Sequence, residues 1–480
     1  MNRSTRVALV PLLASLASGA LAQTPGTPPQ SDARELADLV AILSEETAVA
    51  TKTRMNSDFV PGIVTVLHGE ELEALGVETA WEALSFVPGI LPVRDRVGLP
   101  SVLVRGLPFP FNSGNVRVLV NGVALARELA GINGTSLYIP IQLVDRIEVI
   151  RGPGSVVYGD FAFMGLVNIV TRMEGARVYL RGGGDRALSA GAAWATPDNG
   201  AGMSIAISGS GWASNDAAAA APRELDERRA WGRLDLGYKG FSLSADGVSR
   251  SARQTNAGVA GEPASGSQDH GALGLRYERD LRESLHADVS ARYLHNRFET
   301  AAAGFSGKLL ELGSSVRFEG WKGHSLLLSA GYTTGEVDSA RQNRPPPPGT
   351  MGPPASLVVR DRQRRTLGLT LQDGIDLSSR LAVTAGVRFD RHSDVGSRFT
   401  PRLAVVFRAS DRHILKLQYA EGFRAPTFFE LYSRGTLDPD VSFEVNGTTE
   451  LNYVYRGTTT VARATLFSAR IRDMIYVRPG

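Results

Sequence analysis

The sequence predicts a mainly β protein: a transmembrane antiparallel β-barrel of about 14–16 strands, preceded by a compact α/β unit. From residue 177 onward, segments of roughly ten residues alternate apolar and polar side chains, as β-strands do. Residues 51–173 instead mix helix and strand patterns. The stretch 146–172, two short strands around a glycine-rich turn, joins these two regions.

The alternating strands carry too many charged residues on one face for a soluble β-sandwich. In one segment, apolar Val383, Val387 and Phe389 alternate with charged Arg388 and Asp390. A dry core could not bury so many charges without partners. A membrane barrel can accommodate them, because its apolar face meets lipid and its polar face lines a wet lumen. Closure of the barrel also satisfies every backbone group.

Composition excludes several classes of function. The chain has no cysteine, which excludes disulfides, thiolate metal sites and cysteine nucleophiles. The net charge of +3 is small and spread out, so no basic stripe points to nucleic acid. The seven histidines are scattered singly, without the spacing of metal ligands. We therefore predict no catalytic residues, no cofactor and no metal site, and do not expect an enzyme.

The N-terminus is typical of a cleaved bacterial export signal. Arg3 and Arg6 precede an apolar run from Val7 to Leu16, and small residues follow up to Ala22. The run is shorter than the about 20 apolar residues of a transmembrane helix. Residues 1–22 are therefore predicted to be a signal peptide.

Residues 23–50 are predicted to be a linker, rich at first in proline, glutamine, serine and threonine. The segment 33–53 mixes apolar and acidic positions and leaves two alternatives open. It forms a short amphipathic helix, or part of it is extended and adds a strand to the sheet of a partner protein. The extended part would consist of Asp38, Leu39, Val40, Ala41 and Ile42.

The α/β unit, residues 51–173, contains strand patterns, helix starts and two long loops. Four strands are predicted, at Ile63 to Leu67, Ser101 to Arg105, Val116 to Val120 and Asp145 to Ile150. Thr79 is expected to cap a helix, and the dipeptide 121–122 (Asn-Gly) to close a hairpin. Loops 107–114 and 127–136 either pack locally or form a platform for a ligand.

Several motifs of this unit occur in a fixed order: VTVLHGEEL, TAWEALSFVPGI, VLVRG, RVLVNGVAL and RIEVIRGPGSVVYG followed by GLVNIVTR. In this order the unit resembles the plug of TonB-dependent outer-membrane receptors. Residues 386–407 (GVRFDRHSDVGSRFTPRLAVVF) and 417–432 (LQYAEGFRAPTFFELY) resemble the barrel of the same family. The run 160–164 is bulkier than the family's usual glycine-rich sequence, and Asp438 and Asp440 replace its usual asparagines.

The resemblance implies a division of the chain into a signal peptide (1–22), a linker with a possible TonB-binding segment (23–50), a plug (51–173) and a barrel (174–480). Barrels of this family have about 22 strands. The predicted strands are fewer, so the sequence is expected to be truncated at its C-terminus or to form a naturally short barrel.

The resemblance implies active import across the bacterial outer membrane. The expected ligand is scarce and large, of the ferric siderophore or cobalamin class. The implied partners are this ligand, outer-membrane lipid, and TonB with the ExbB and ExbD proteins that energise it. A passive porin and a non-transporting surface receptor remain alternatives. The porin would keep its uptake after the proton gradient is collapsed, and a signalling receptor would need a folded domain before the plug.

The resemblance also suggests two sets of site residues. The ligand is expected to contact plug loops at Arg94, Arg96, Phe109, Phe111, Asn112, Arg127 and Asn133. A latch between plug and barrel is expected to join Arg105 and Arg151 to barrel carboxylates, with Glu444 and Glu450 as candidates. The alternative is that these residues are ordinary charges of the lumen without specific partners. Ion pairs suit such a latch, because water can replace them at modest cost when the plug is pulled.

Overall fold

A computed structural model describes residues 6–7, 46–47, 55–56, 62–94, 100–106, 115–124, 137–183, 187–197, 202–216, 225–254, 264–300, 303–344, 355–432, 441–457 and 460–475. A long antiparallel sheet forms a curved wall, and a smaller α/β unit packs against its inner face. The predicted mainly β architecture, with an N-terminal α/β plug, is confirmed.

Besides the two-residue strand Met55–Asn56, the described part of the plug contains seven strands, which are β1 Ile63–His68, β2 Ile90–Arg94, β3 Pro100–Val104, β4 Val116–Val120, β5 Val123–Ala124, β6 Val144–Arg151 and β7 Gly165–Thr171. Five of them form one sheet in the order β1-β6-β7-β4-β5, and β2 pairs with β3 separately. The helices are α1 Gly69–Ala74, α2 Ala80–Ala83 and α3 Ser155–Tyr158, with 3₁₀ turns at Leu84–Phe86 and Ile141–Leu143. Two-residue strands at Glu46–Thr47 and Met55–Asn56 pair with each other.

Local sequence signals explain how these elements begin and end. Thr79 caps α2, and its hydroxyl accepts a hydrogen bond from Glu82 N at 3.4 Å. Asn121 and Gly122 both have positive φ, at 50° and 77°, as a tight hairpin turn between β4 and β5 requires. Ile147 and Val149 of β6 are fully buried in an apolar core that also includes wall residues such as Leu294 and Leu309.

Among the described residues, the wall contains fifteen consecutive strands. They are β8 Gly175–Gly182, β9 Leu188–Thr196, β10 Met203–Asp216, β11 Leu225–Tyr238, β12 Phe241–Gln254, β13 Ala264–Arg282, β14 Leu285–Thr300, β15 Ala303–Phe318, β16 His324–Arg344, β17 Ala355–Ser378, β18 Leu381–His392, β19 Gly396–Arg408, β20 His413–Arg424, β21 Glu444–Arg456 and β22 Val461–Arg472. Each strand pairs antiparallel with the next. Helix α4, Phe428–Tyr432, lies in the connection between β20 and β21.

The two ends of the wall differ in the length of their connections. The connections 239–240, 283–284 and 379–380 lie at one end and are short. At the other end, the connections 255–263, 345–354 and 425–443 are long, whereas 301–302 and 393–395 are short. In outer-membrane barrels, short turns face the periplasm and long loops face outward. We therefore name the two ends of the wall the turn end and the loop end.

The side chains of the wall alternate as the sequence predicted. Val178 and Leu180 are 83% and 76% exposed on the outer face, whereas the inner face buries polar residues such as Gln372 and Asp390. No helix within the described ranges has both the length and the apolar character needed to cross a membrane.

The wall is an open sheet in the part of the chain that the structure describes. Its first strand, β8, and its last, β22, do not pair with each other there. The two residues Arg6–Val7 pair with β22 at Arg470 and Ala469. The fifteen consecutive strands fall within the predicted range.

The bulky run 160–164, which departs from the family pattern, fills the contact between plug and wall. Phe161, Ala162, Phe163 and Met164 are at most 4% exposed. Phe163 O accepts a hydrogen bond from Asn446 Nδ2 on β21 at 3.0 Å. The larger side chains therefore bury apolar area where smaller residues would leave space.

We expect Phe163→Ala to lower the free energy of unfolding of the plug by about 3–5 kcal/mol, because a fully buried ring leaves a cavity. Protection of the plug from trypsin, followed against temperature, would measure the loss. Phe399→Ala is the matched control, because Phe399 is 66% exposed on the outer face. Equal protection in both variants would contradict this packing role.

Candidate functional site between plug and wall

An ion pair joins the end of β3 to the wall. Arg105 Nη2 bonds Glu450 Oε1, and the two side chains are only 7% and 1% exposed. The Arg105 guanidinium also lies 4.0 Å from the ring centroid of Phe467 on β22. Gln418 Nε2 donates a second hydrogen bond to the Glu450 carboxylate. The buried carboxylate therefore has a charged and a neutral donor, as a buried charge requires.

The backbone around this ion pair is shaped for close approach. Arg105 adopts a left-handed conformation with φ of 55°, which non-glycine residues rarely adopt. Gly152, with φ of +108°, lies so close that a Cβ there would be 2.9 Å from Glu450 Oε1. The glycine of the RGPG turn thus lets the plug backbone reach the carboxylate. Backbone strain of this kind often marks functional contacts.

Arg151 and Glu444, the other two candidates for the latch, bond elsewhere. Arg151 donates to Pro88 O at 3.0 Å and to Thr65 Oγ1 at 3.2 Å, both within the plug. The pKa of Arg151 is lowered to about 10, mainly by burial and then by the neighbouring Arg105, while Glu450 partly opposes both. Glu444 accepts from Arg424 Nε on its own wall at 2.7 Å. The structure therefore brings together Arg105 and Glu450 of the four predicted residues.

Four further hydrogen bonds fasten α3 and the run after it to strands of the wall. The bonds are Phe423 N to Ser155 Oγ (3.1 Å), Ala425 N to Asp160 Oδ1 (2.9 Å), Thr370 Oγ1 to Val156 O (3.0 Å) and Asn446 Nδ2 to Phe163 O (3.0 Å). His392 Nε2 also lies 3.4 Å from Asp160 Oδ2. The plug is thus docked on the surface formed by β17, β18, β20 and β21, which we call the docked wall.

Inside the plug, Arg117 bonds the backbone of α3 and of the residues that follow it. Its Nη1 donates to Tyr158 O at 2.7 Å and to Asp160 O at 2.8 Å. Burial is the main cause that lowers the pKa of Arg117 and raises that of the Tyr158 phenol. Sequence reasoning assigned no role to Arg117, Ser155 or Asp160. The departure of residues 160–164 from the family pattern was the one signal that pointed there.

A second attachment lies beside α2. The guanidinium of Arg229 on β11 is stacked between two rings, 3.5 Å from the Tyr138 centroid and 3.9 Å from the Trp212 centroid. Glu227, which is fully buried, accepts from Arg229 Nε at 2.7 Å and from Arg250 Nε at 2.6 Å. Tyr138 belongs to the plug, and we call this contact the arginine clamp. Cation–π contacts of this kind gain strength when they are desolvated.

Between the plug and the inner face of the wall lies a cavity of about 1080 Å³ with both polar and apolar lining residues. The plug contributes Arg117, Asn121, Arg146, Glu148 and Asn168 to its lining, and strands β11 to β18 contribute the opposite side. On the plug side of the cavity, polar side chains bond one another. Arg146 Nε donates to Glu148 at 2.9 Å, and Asn168 Nδ2 donates to Glu148 at 2.9 Å.

Most of the other predicted site residues lie outside the described residues. This holds for Arg96, Phe109, Phe111, Asn112, Arg127 and Asn133, and for the segment Asp38, Leu39, Val40, Ala41 and Ile42. Arg94 ends β2, and its side chain is not described. Their proposed roles stay predictions. In the sequence, Tyr138 of the clamp follows the segment that contains Arg127 and Asn133.

Comparison with known proteins finds a family whose members are similar to this chain. Residues 177–480 match the family model described as "TonB dependent receptor-like, beta-barrel", and residues 57–166 match that of the "TonB-dependent Receptor Plug Domain". The chain is 26% identical over 427 residues to the vitamin B12 transporter BtuB of Vibrio vulnificus (strain CMCP6). That alignment covers 83% of this chain and 66% of the relative, so the chain spans just under two thirds of the relative's length.

Solved structures share the fold. The siderophore receptor PirA of Acinetobacter baumannii has a TM-score of 0.67 at 18% identity, with 86% of this chain and 71% of that chain covered. A mutant of the ferric enterobactin receptor PfeA of Pseudomonas aeruginosa has a TM-score of 0.65 at 19% identity, with 88% and 73% covered. At these identities the likeness concerns the fold alone.

We expect Glu450→Gln to weaken plug docking by about 3–5 kcal/mol, because it leaves Arg105 buried without its counter-charge. A double-mutant cycle of Arg105→Gln with Glu450→Gln should give a coupling energy of roughly 0.5–3 kcal/mol. The urea dependence of trypsin protection of the plug would measure both quantities.

The matched cycle pairs Arg151→Gln with Glu450→Gln. Its coupling should be smaller, because the Arg151 guanidinium bonds plug atoms and not the carboxylate. A larger coupling for Arg151 than for Arg105 would reverse this assignment of the ion pair.

Proposed function

The chain belongs to the TonB-dependent receptor family, and from this premise we propose that it imports a scarce, large ligand across a bacterial outer membrane with energy supplied through TonB. The family is one of outer-membrane transporters and receptors, not of enzymes. Within it, the barrel forms the route and the plug closes that route until energy is supplied.

The observation that carries the proposal is the way the plug is held. It is attached to the docked wall by one buried ion pair and a few polar bonds. Each such bond can be exchanged for a bond to water once the plug moves, so the attachment is firm at rest and reversible under force. A passive porin has no use for such an obstruction, which favours energy-coupled import.

For the ligand we propose a ferric siderophore or a compound of the cobalamin class. The support is the nature of similar proteins: a vitamin B12 transporter, a siderophore receptor and a ferric enterobactin receptor. The proposed contacts are the plug-loop residues Arg94, Arg96, Phe109, Phe111, Asn112, Arg127 and Asn133. These loops precede or follow plug strands that the docked wall and the arginine clamp hold in place.

For the energy-coupling partner we propose TonB with ExbB and ExbD. The segment Asp38 to Ile42 would be extended and add a strand to TonB, because β-strand addition gives affinity through main-chain hydrogen bonds. In this division of labour, residues 1–22 direct export, 23–50 transmit the pull, 51–173 form the plug and 174–480 form the wall. The Arg105–Glu450 ion pair would act as the latch that the pull releases.

We expect cells that carry this chain as their receptor to accumulate radiolabelled ferric enterobactin or cyanocobalamin, and a protonophore to reduce that uptake at least ten-fold. The same cells without TonB should behave like the protonophore-treated cells. Uptake that persists after collapse of the proton gradient would instead support the passive porin. Binding of either compound to cells that never accumulate it would support the non-transporting receptor.

A further inference from the structure

Two arginines lie side by side on the outer face of the wall, at its loop end. Arg391 is the last residue but one of β18, and in the sheet it lies opposite Leu367 of β17. Arg365 lies two residues before Leu367, on the same face of β17. Both arginines are exposed, and we call them the outer arginine pair. We propose that this pair binds the phosphate group of a lipid in the outer leaflet of the membrane.

The turn between β18 and β19 fixes the two strands against each other at the level of the outer arginine pair. Arg365 N donates to Ser393 Oγ at 3.0 Å, and Ser393 N donates to Arg365 O at 2.9 Å. Ser393 lies two residues after Arg391 and directly follows β18. Diagonal neighbours on adjacent strands are about 7–8 Å apart, so two long side chains at such positions can reach one anion between them.

The protein does not neutralise the two charges within the part of the chain that the structure describes. Arg365 Nη2 and Nε donate to the uncharged amide oxygen Gln363 Oε1, at 3.1 and 3.3 Å. The Arg391 side chain forms neither a hydrogen bond nor an ion pair among the described residues. Glu336 of β16, which lies opposite Gln363, is 3.4 Å from Lys308 Nζ on β15. Like charges on neighbouring strands repel, so an anion bound between them would stabilise this surface.

The outer face next to the pair, on the side of the turn end, is apolar. Leu367 and Leu369 of β17 are 41% and 45% exposed. Leu369 lies opposite Phe389 of β18, which lies opposite Phe399 of β19. Phe399 is 66% exposed, and its ring centroid is 4.9 Å from that of Phe389. Such a surface suits acyl chains, and the positive charge beside it suits an anionic headgroup.

The position and the chemistry of the pair select the kind of lipid. Long loops of outer-membrane barrels face outward, so the pair lies at the headgroups of the outer leaflet. A guanidinium group offers a planar fork of donors that matches the oxygens of a phosphate group. A phosphorylated glycolipid of the lipid A type has both the phosphate and the acyl chains that this surface fits. Its binding needs the outer-membrane location of the family but no transport, so it is independent of the proposed import.

Native mass spectrometry of the purified full chain in detergent would measure this binding. The probes are diphosphoryl lipid A, the same lipid without its phosphates, and inorganic phosphate. The variant combines Arg365→Gln with Arg391→Gln. Lys308→Gln is the matched control, because Lys308 is also exposed near the loop end but lies 3.4 and 3.5 Å from the carboxylates of Glu336 and Asp338.

We expect the unmodified chain to bind diphosphoryl lipid A at least ten-fold more tightly than the dephosphorylated lipid. The double variant should bind diphosphoryl lipid A at least five-fold more weakly, and Lys308→Gln should bind it within two-fold of the unmodified chain. Trypsin protection of the plug should be unchanged in the double variant, because both side chains lie on the face of the wall that points away from the plug.

Equal binding of the two lipids would mean that only the acyl chains are recognised and would overturn the proposal. Full binding by the double variant would overturn it as well. Displacement of lipid A by an equal concentration of inorganic phosphate would identify a site for the free anion and not for a lipid. Cells that take up neither ferric enterobactin nor cyanocobalamin, although the purified chain binds lipid A as expected, would count against the proposed import alone.

Discussion

The structure depends on one constraint: a wall that is apolar outside must be polar inside, because successive side chains of a strand point to opposite faces. A plug inside such a wall meets polar as well as apolar side chains. Its core, centred on β6 and β7, continues into a few apolar residues of the wall such as Leu294 and Leu309, and ion pairs, single hydrogen bonds and a stacked guanidinium add specific contacts. Each attachment is specific and weak enough to be exchanged for water.

The fold could be predicted from the sequence because its main signals are local or periodic. Alternation with a period of two gave the wall strands, and the Asn121-Gly122 dipeptide gave the hairpin that the structure contains. The partners of the latch were harder to predict. Alternation tells which face of a strand a residue occupies but not which atom lies opposite it. Arg151 accordingly bonds Thr65 and Pro88, whereas Arg105, at a strained turn, reaches Glu450.

The run 160–164 and the arginine clamp show a second limit of sequence reasoning. Both depend on contacts between residues far apart in the chain: Asp160 meets Ala425, and Tyr138 meets Arg229. A departure from a family pattern can mark such a place, but it cannot say whether the larger side chains create a clash or fill a space. Here they fill a space, because Phe161, Ala162, Phe163 and Met164 are at most 4% exposed.

The burial of Arg105 and Glu450 has a consequence for the surroundings in which the protein works. Dissolved ions screen exposed charges over about 8–10 Å at moderate salt, but they screen buried pairs far less. With side chains only 7% and 1% exposed, this pair is shielded from the medium. The ion pair should therefore hold the plug against the wall almost equally well in fresh and in saline water, and a change in salinity would not release the plug.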